Sequence, residues 1–370
     1  MYKKNILIGI FKNNKNKALE YLNELKNLLK VFNGKVIKKF LQKKNKKNNL
    51  TYVGKGFLEK INKYIIKKRI DTVIFDDELS LKQIKNIENK LKCFITDRTK
   101  LVLDIFTYRA NSSYSKIQIK LAQYEYLLPR LKHMWMHLKR QKGGIGERGP
   151  GEKEIETDKR LIKKKIVIFK KKLQKINKQI LIQRNNRKNK ILISLVGYTN
   201  VGKTTILNKI SNKNLLTGNQ LFTTLDSNVN NFFFKKKKFL IVDTIGLLRK
   251  IPTKLIEYFK SSILEIKESN LIINIVDIHS KSILYNLFYV LNFLFDELNL
   301  FKKKILIVFN KIDKIKNFNL LFLKKKLGKI LKKKYLIYKN KKIRYICITT
   351  KKKRDIILLK KTIYNELFNF

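Results

Sequence analysis

The apolar positions of this 370-residue chain change rhythm along its length. In the first segment, short continuous apolar runs alternate with helical stripes. NILIGIF reads as a strand and ALEYLNELKNLLKVF as an amphipathic helix. TYVGKGFLEKINKYI reads as strand, glycine turn and helix, and DTVIFDD as a further strand. That alternation predicts an N-terminal α/β domain over residues 1–112. A different pattern follows. Ile117, Leu121, Tyr124, Leu128, Leu131, Trp135 and Leu138 recur at alternating spacings of four and three. The same spacing resumes at Ile162, Ile166, Phe169, Leu173, Ile176 and Ile180. Two such seams, each about three heptads long, predict an antiparallel helical hairpin over 113–190, with Pro129 kinking its first helix. At 1.5 Å per residue the arm would be roughly 30–40 Å long. From Ile191 the chain returns to buried-type strands, ILISLVG, FLIVD and ILIVFN, which predict a second α/β domain over 191–370.

Between the two seams lies GGIGERGPGEKEIETDKR. Five of the chain's 14 glycines and one of its three prolines fall within nine residues here. This predicts a tip loop over about 141–156, with Thr157 or Asp158 capping the returning helix. A hairpin turn needs only a few residues, and a loop this long points to function. Glycines let the backbone approach another surface closely, and Arg148 and Lys153 can meet phosphates.

Composition narrows the classes. The longest apolar run, Ile283 to Phe295, is interrupted by Asn286 and Asn292 and is too short to span a bilayer. The start, MYKKNILIGIF, lacks a signal peptide's length and cleavage site, so a cytosolic protein without membrane contact is expected. Cys93 and Cys347 are far apart, which argues against a disulfide framework or zinc site; Cys347, in an apolar run, reads as a buried thiol. His133 and His137 share a helical face but have no evident third ligand. Asp76, Asp77 and Glu78 lie between a strand and a helix, where capping and the helix dipole account for them.

The net charge of +59 needs discounting before it is read. Lys, Asn and Ile are abundant everywhere, as AT-rich codons would make them. The unevenness says more: no Asp or Glu occurs from Lys159 to Leu225, while basic residues crowd 159–190. That asymmetry favours a polyanionic partner.

The third segment carries the chemistry. Gly197-Tyr198-Thr199-Asn200-Val201-Gly202-Lys203-Thr204 follows a strand and opens a helix that continues through Thr205. In this phosphate loop the glycines permit a tight curl that aims backbone N–H groups at phosphates. Lys203 supplies charge for the β and γ phosphates, and the Thr204 hydroxyl can bind Mg²⁺. Asp243-Thr244-Ile245-Gly246 ends another strand; Asp243 can hold the magnesium, and the Gly246 N–H can sense the γ-phosphate. Between them lies Phe222-Thr223-Thr224-Leu225-Asp226, in which Thr224 is the candidate to close over the metal. Asn310-Lys311-Ile312-Asp313 closes a further strand. The Asp313 carboxylate can accept from both N1–H and the 2-amino group of guanine, a donor pair that adenine lacks. Thr349 and Thr350, with Lys351 after them, are candidates for the last guanine-contacting loop. The ordered set predicts a GTP hydrolase with Lys203, Thr224 and Gly246 in catalytic roles. Leu247 stands directly after Gly246, where many GTPases place a water-orienting glutamine, so slow intrinsic hydrolysis is expected.

With these motifs placed, the chain closely resembles the HflX family of ribosome-associated GTPases. The resemblance rests on GGIGERGPGEKEIETDKR, DDELS, DRTKLVLDIF, LAQYEYLLPRL, LVGYTNVGKTTILNKI, LFTTLD and VDTIGLLRKIP. It implies an N-terminal domain with a two-helix arm followed by a Ras-like G domain. It further implies GTP-dependent binding to the large ribosomal subunit, with splitting or rescue of stalled ribosomes. Carried onto this chain, the ribosome-binding tip would comprise Gly143, Gly144, Gly146, Arg148, Gly149, Pro150 and Gly151. The protein is expected to act as a monomer. Some relatives carry a further C-terminal domain, whose function is not expected here, and no second phosphate loop supports ATP binding by the N-terminal domain. Two other readings stand beside this one: a GTPase of ribosome assembly, and an RNA-binding structural protein with a decayed G domain. Intact Lys203, Thr204, Asp243, Asn310 and Asp313 argue against decay.

Overall fold

The computed structural model describes residues 3–134, 150–185, 187, 190–212, 228–250, 260–280, 282–315 and 344–368. They fall into two compact units, Met1–Ile180 with Arg249–Tyr258, and Leu181–Leu248 with Phe259–Phe370.

In the first unit the strands β1 (Lys4–Phe11), β2 (Lys35–Lys43), β3 (Thr72–Phe75) and β4 (Phe94–Asp97) form a parallel sheet in the order β2-β1-β3-β4. Helices α1 (Lys15–Leu29), α2 (Lys55–Lys68), α3 (Leu81–Leu91) and α4 (Arg98–Arg109) connect and follow them. Ile6, Leu7 and Ile8 are all fully buried, as a strand covered on both faces requires. The helix starts are written locally: Asn14 accepts from the Lys17 N–H, Asp97 accepts from the Lys100 N–H, and Ser80 and Gln83 form a reciprocal capping box.

Two sequence expectations change here. TYV is not a strand: Tyr52 makes only an isolated bridge to Asn48, and its buried ring carries a hydroxyl that donates to Asp77 at 2.7 Å. One edge strand is β2, whose lysine-rich pattern hid it. Nor are Asp76 and Asp77 caps, since Ser80 takes that role. Asp76 receives the Arg98 guanidinium at 2.8 Å, and Asp77 receives the Lys250 ammonium at 2.7 Å. Burial alone would raise the Asp77 carboxyl, but Lys250, Tyr52 and Lys47 hold it down at about 2. Arg98, almost wholly buried, also bonds Glu24 and donates to the Arg249 carbonyl at 2.9 Å.

The arm consists of α5 (Ser113–Met134) and α6 (Pro150–Asn185). Leu121, Ile166 and Leu173 are buried between them, with Ile117, Tyr124, Leu128, Ile162 and Phe169 packed around. Tyr114 bonds Asn177 at 3.0 Å while Tyr124 stacks on Phe169, so the partner numbers run in opposite directions as an antiparallel pair demands. The returning helix starts at Pro150, not near Thr157 or Asp158, which lie inside it. Proline's fixed φ and missing N–H suit a first helical position, so Pro150 and Gly151 belong to the helix and not to a loop. Gly143, Gly144, Gly146, Arg148, Gly149, Trp135, Leu138 and His137 lie outside the described residues.

The second unit is a six-stranded sheet, β5 (Ile191–Gly197), β6 (Asn228–Phe234), β7 (Lys237–Asp243), β8 (Leu271–Asp277), β9 (Lys304–Asn310) and β10 (Arg344–Cys347), in the order β10-β9-β8-β5-β7-β6. Only the edge strand β6 runs antiparallel to its neighbour. Helices α7 (Lys203–Ser211), α8 (Lys260–Glu268), α9 (Ile283–Asn292) and α10 (Lys353–Phe368) accompany it. The core between α9 and the sheet includes Ile272, Val276, Leu287, Leu291, Ile307 and Phe309. Cys347 is half-buried, not enclosed, because β10 is the other edge. Among the described residues no helix is long and apolar enough to cross a membrane.

Arg98→Met keeps the volume of a long side chain but removes the buried cation that Asp76 and Glu24 share, leaving them only Lys250 and Arg249. We expect a stability loss of about 3 kcal/mol in denaturant unfolding; a loss below about 1 kcal/mol would show the network to be dispensable.

Candidate nucleotide site

Parallel strands place their C-terminal ends on one side of a sheet, and the loops leaving β5, β7, β9 and β10 therefore converge. The β5 strand ends at Gly197, whose φ of +152° and surroundings exclude a side chain: an added Cβ would meet the Ile275 carbonyl oxygen at 2.4 Å. Gly202, at φ +96°, is equally constrained, with the Asn310 Nδ2 atom 2.6 Å from an added Cβ. Asn200 takes the left-handed conformation between them, and Val201 is buried. The loop is thus wound tightly enough to expose a run of backbone groups at the head of α7.

Lys203 is the first residue of α7 and is almost wholly buried. Its Nζ donates to the Tyr198 carbonyl at 2.9 Å and the Gly197 carbonyl at 3.3 Å. Burial pushes its ammonium down to about 8, with the Asp243 charge pulling the other way. Thr204 donates its hydroxyl to Asp243 Oδ2 at 2.6 Å, and Asp243 ends β7 with no exposure. Thr205 is half-buried on the same helix. Thr244 is tied by its hydroxyl to the Leu195 carbonyl at 2.7 Å, Ile245 is half-buried, and Gly246 lies against Thr199 and Lys203.

The β9 end supplies the other half. Asn310 is buried and donates its side-chain N–H to the Val201 carbonyl at 2.9 Å. Lys311 reaches the Asn200 carbonyl and the Asp277 carboxylate, each at 2.7 Å. Ile312 packs on the core, leaving Asp313 at the loop surface. Thr349 donates to Asp313 Oδ1 at 2.7 Å and Lys351 pairs with Asp313 Oδ2 at 2.8 Å. Those two partners, Lys351 first, hold the Asp313 carboxyl below its usual range. Thr350 follows, half-buried. The structure therefore brings together residues 197–205, 243–246, 310–313 and 349–350. Phe222, Thr223, Thr224, Leu225 and Asp226 lie outside the described residues.

Two further groups escaped the sequence. Asp277 ends β8 after an apolar run, a signal like that of Asp243, and it orients Lys311. Tyr289 on α9 belongs to no motif, yet its ring packs edge-on against Tyr198 and its hydroxyl donates to the Leu248 carbonyl at 2.8 Å.

The residues fit a nucleotide phosphate chain with its cation. Thr199 Oγ1 is buried and has no partner among the described residues, a cost that a polar ligand would relieve. Thr204 and Asp243 together offer the hard oxygen donors that Mg²⁺ prefers.

Comparison with known proteins identifies the family. Residues 19–107 match a family described as GTP-binding GTPase N-terminal, 109–187 its GTP-binding GTPase Middle Region, and 192–311 a 50S ribosome-binding GTPase family. The GTPase HflX of Flavobacterium psychrophilum is 45% identical over 318 residues, which is 85% of this chain and 77% of that one. The GTPase HflX of Caldanaerobacter subterraneus is 41% identical over 70% of this chain and 62% of its own length. A solved structure, described as SsGBP in complex with GDP, superposes with a TM-score of 0.54 at 26% identity and 98% coverage of both chains. On this agreement of motif, fold and extended identity, the chain belongs to the HflX family of GTPases.

Proposed function

We propose that this GTPase binds the large ribosomal subunit in its GTP state, separates or rescues stalled ribosomes, and leaves on hydrolysis. The observation that carries the reading is the presence, in one chain, of the phosphate loop, Asp243 and the Asn310–Asp313 loop together with a long basic arm. On α6 the solvent face presents Lys163, Lys164, Lys165, Lys170, Lys171 and Lys172, all exposed, while the opposite face is buried against α5. An exposed cationic helix of this length suits RNA phosphates. The match to a 50S ribosome-binding GTPase family supports the same partner.

Within the site, Lys203 would neutralise the β and γ phosphates, and its desolvated ammonium gains most from that pairing. Thr204 and Asp243 would hold Mg²⁺, joined by Thr224 in the triphosphate state. The metal would supply charge neutralisation across the phosphates. Gly246 would donate its N–H to the γ-phosphate. Asp313, oriented by Thr349 and Lys351, would read guanine N1–H and the 2-amino group, with Asn310 and Lys311 bracing the loop beneath. The tip residues Gly143 to Gly151 would meet ribosomal RNA.

Cosedimentation with purified large subunits at physiological salt tests this. Binding is expected with a non-hydrolysable GTP analogue and not with GDP or an ATP analogue, and Lys203→Ala should abolish it. Equal binding in all three states would reduce the interaction to bulk charge. Because Leu247 cannot hydrogen-bond a water through its side chain, free turnover should be slow and rise at least about tenfold with large subunits. Turnover that is the same with and without subunits would contradict a ribosome-completed site.

A further inference from the structure

At one edge of the second sheet, β6 turns into β7 through Lys235 and Lys236 alone. Both lysines stand in the left-handed region, at φ +47° and +60°. A two-residue turn of this kind favours Asn-Gly, because glycine, and after it asparagine, takes positive φ with the least crowding. This chain uses asparagine freely, and asparagine codons are as AT-rich as those of lysine. Composition therefore does not account for lysine at both turn positions. Protection of the sheet edge does not either, since Lys237 and Lys238 lie on β7, one strand in from that edge. No Asp or Glu occurs between Asp226 and Asp243 to offset the four charges.

The same hairpin turns an aromatic ring to solvent. Along β6 the side chains alternate: Phe232 is buried and stacks on Phe239, whereas Asn231 and Phe233 face outward. Phe233 is 64% exposed, more than any other phenylalanine among the described residues. It stands directly opposite Lys238, whose ammonium lies 5.7 Å from the ring centre. Two further cations are set in place by rings of α10: Lys235 lies over Tyr364 at 4.8 Å and Lys237 over Phe368 at 3.6 Å.

An exposed ring on a rigid sheet, flanked by lysines, has the chemistry of a surface for unpaired nucleotides. A base stacks on the ring while the ammoniums meet the phosphates beside it. An acidic peptide would engage the lysines and leave the ring idle. A lipid surface calls for several apolar side chains pointing one way, and the neighbours of Phe233 on its face are Asn231 and Lys238. We propose that the β6–β7 hairpin is a second RNA-binding surface, which takes an unpaired segment with one base on Phe233 and phosphates on Lys235, Lys236 and Lys238. It is a different element from the arm, and its binding does not depend on the arm's contact.

The test reads the hairpin itself. The chain has one tryptophan, Trp135, so the full-length protein carrying Trp135→Phe and Phe233→Trp reports from the hairpin alone. Dodecauridylate, polyglutamate of equal charge and phosphatidylserine vesicles would each be titrated at physiological salt without ribosomes, so failure of the ribosomal reading would leave the result unaffected. A saturable quench of the indole by the RNA alone is expected. Adding Lys235→Asn and Lys236→Gly removes two charges and relaxes the turn. Those changes should weaken the RNA affinity read at this tryptophan about tenfold and lower its salt slope by about 1.4, with the unfolding midpoint unchanged or raised. Absence of an RNA quench, an equal response to polyglutamate or vesicles, or an affinity that the turn changes leave intact would each overturn the proposal.

Discussion

The side-chain amide of Asn310 donates to the Val201 carbonyl across 109 residues of sequence, and the nucleotide site depends on that bond. It ties the loop after β9 to the phosphate loop after β5, two segments that share no local sequence signal. Leaving one buried partner unpaired would cost about 1–3 kcal/mol. The same contact explains why position 202 must be glycine, because the amide occupies the space of any side chain there. Lys311 repeats the arrangement one residue on, bridging Asn200 and Asp277. The loops proposed to read phosphate and base are thus mechanically one object. The burial that pushes the Lys203 ammonium down comes from the same tight winding.

The first unit is held together by a different device. Its sheet is small and its elements carry charge inward: Arg98 is surrounded by Asp76, Glu24 and the Arg249 carbonyl, while Asp97 receives Tyr126 and lies near Arg130. Buried charges of this kind contribute little net stability against apolar replacements, but each fixes its partners' positions because none can be left alone. The arm uses the opposite strategy, a narrow apolar seam with the charge turned to solvent. The exposed lysines of α6 therefore sit on its outer surface.

Much of this was legible because the relevant residues are constrained locally. Gly197, Gly202, Lys203 and Thr204 sit in one contiguous strand–loop–helix stretch whose conformation demands the glycines, and Asp243 and Asn310 end strands written as plain apolar runs. The heptad seams named Leu121, Ile166, Phe169 and Leu173 because their spacing follows from helix geometry alone. The failures came where tertiary contact outweighs local pattern. β2 was hidden by its lysines, since an edge strand needs only one covered face. Asp76 and Asp77 resembled caps until Arg98 and Lys250 were seen beside them. Tyr289 has no sequence signal, because its contacts come from two loops that reach it from distant parts of the chain.

The central claim is that these loops form one guanine-reading site with Asp313 as its reader, and exchanging the base tests it most directly. Xanthine carries a carbonyl in place of guanine's 2-amino group, so Asp313→Asn, which presents an amide donor, should lose affinity for GDP and gain it for the xanthosine diphosphate. A reversal of preference by at least about a hundredfold is the expected result, the product of one gained and one lost polar pairing. Unaltered GDP preference in the variant would mean that the base is read elsewhere, and the assembly of the site described above would be wrong.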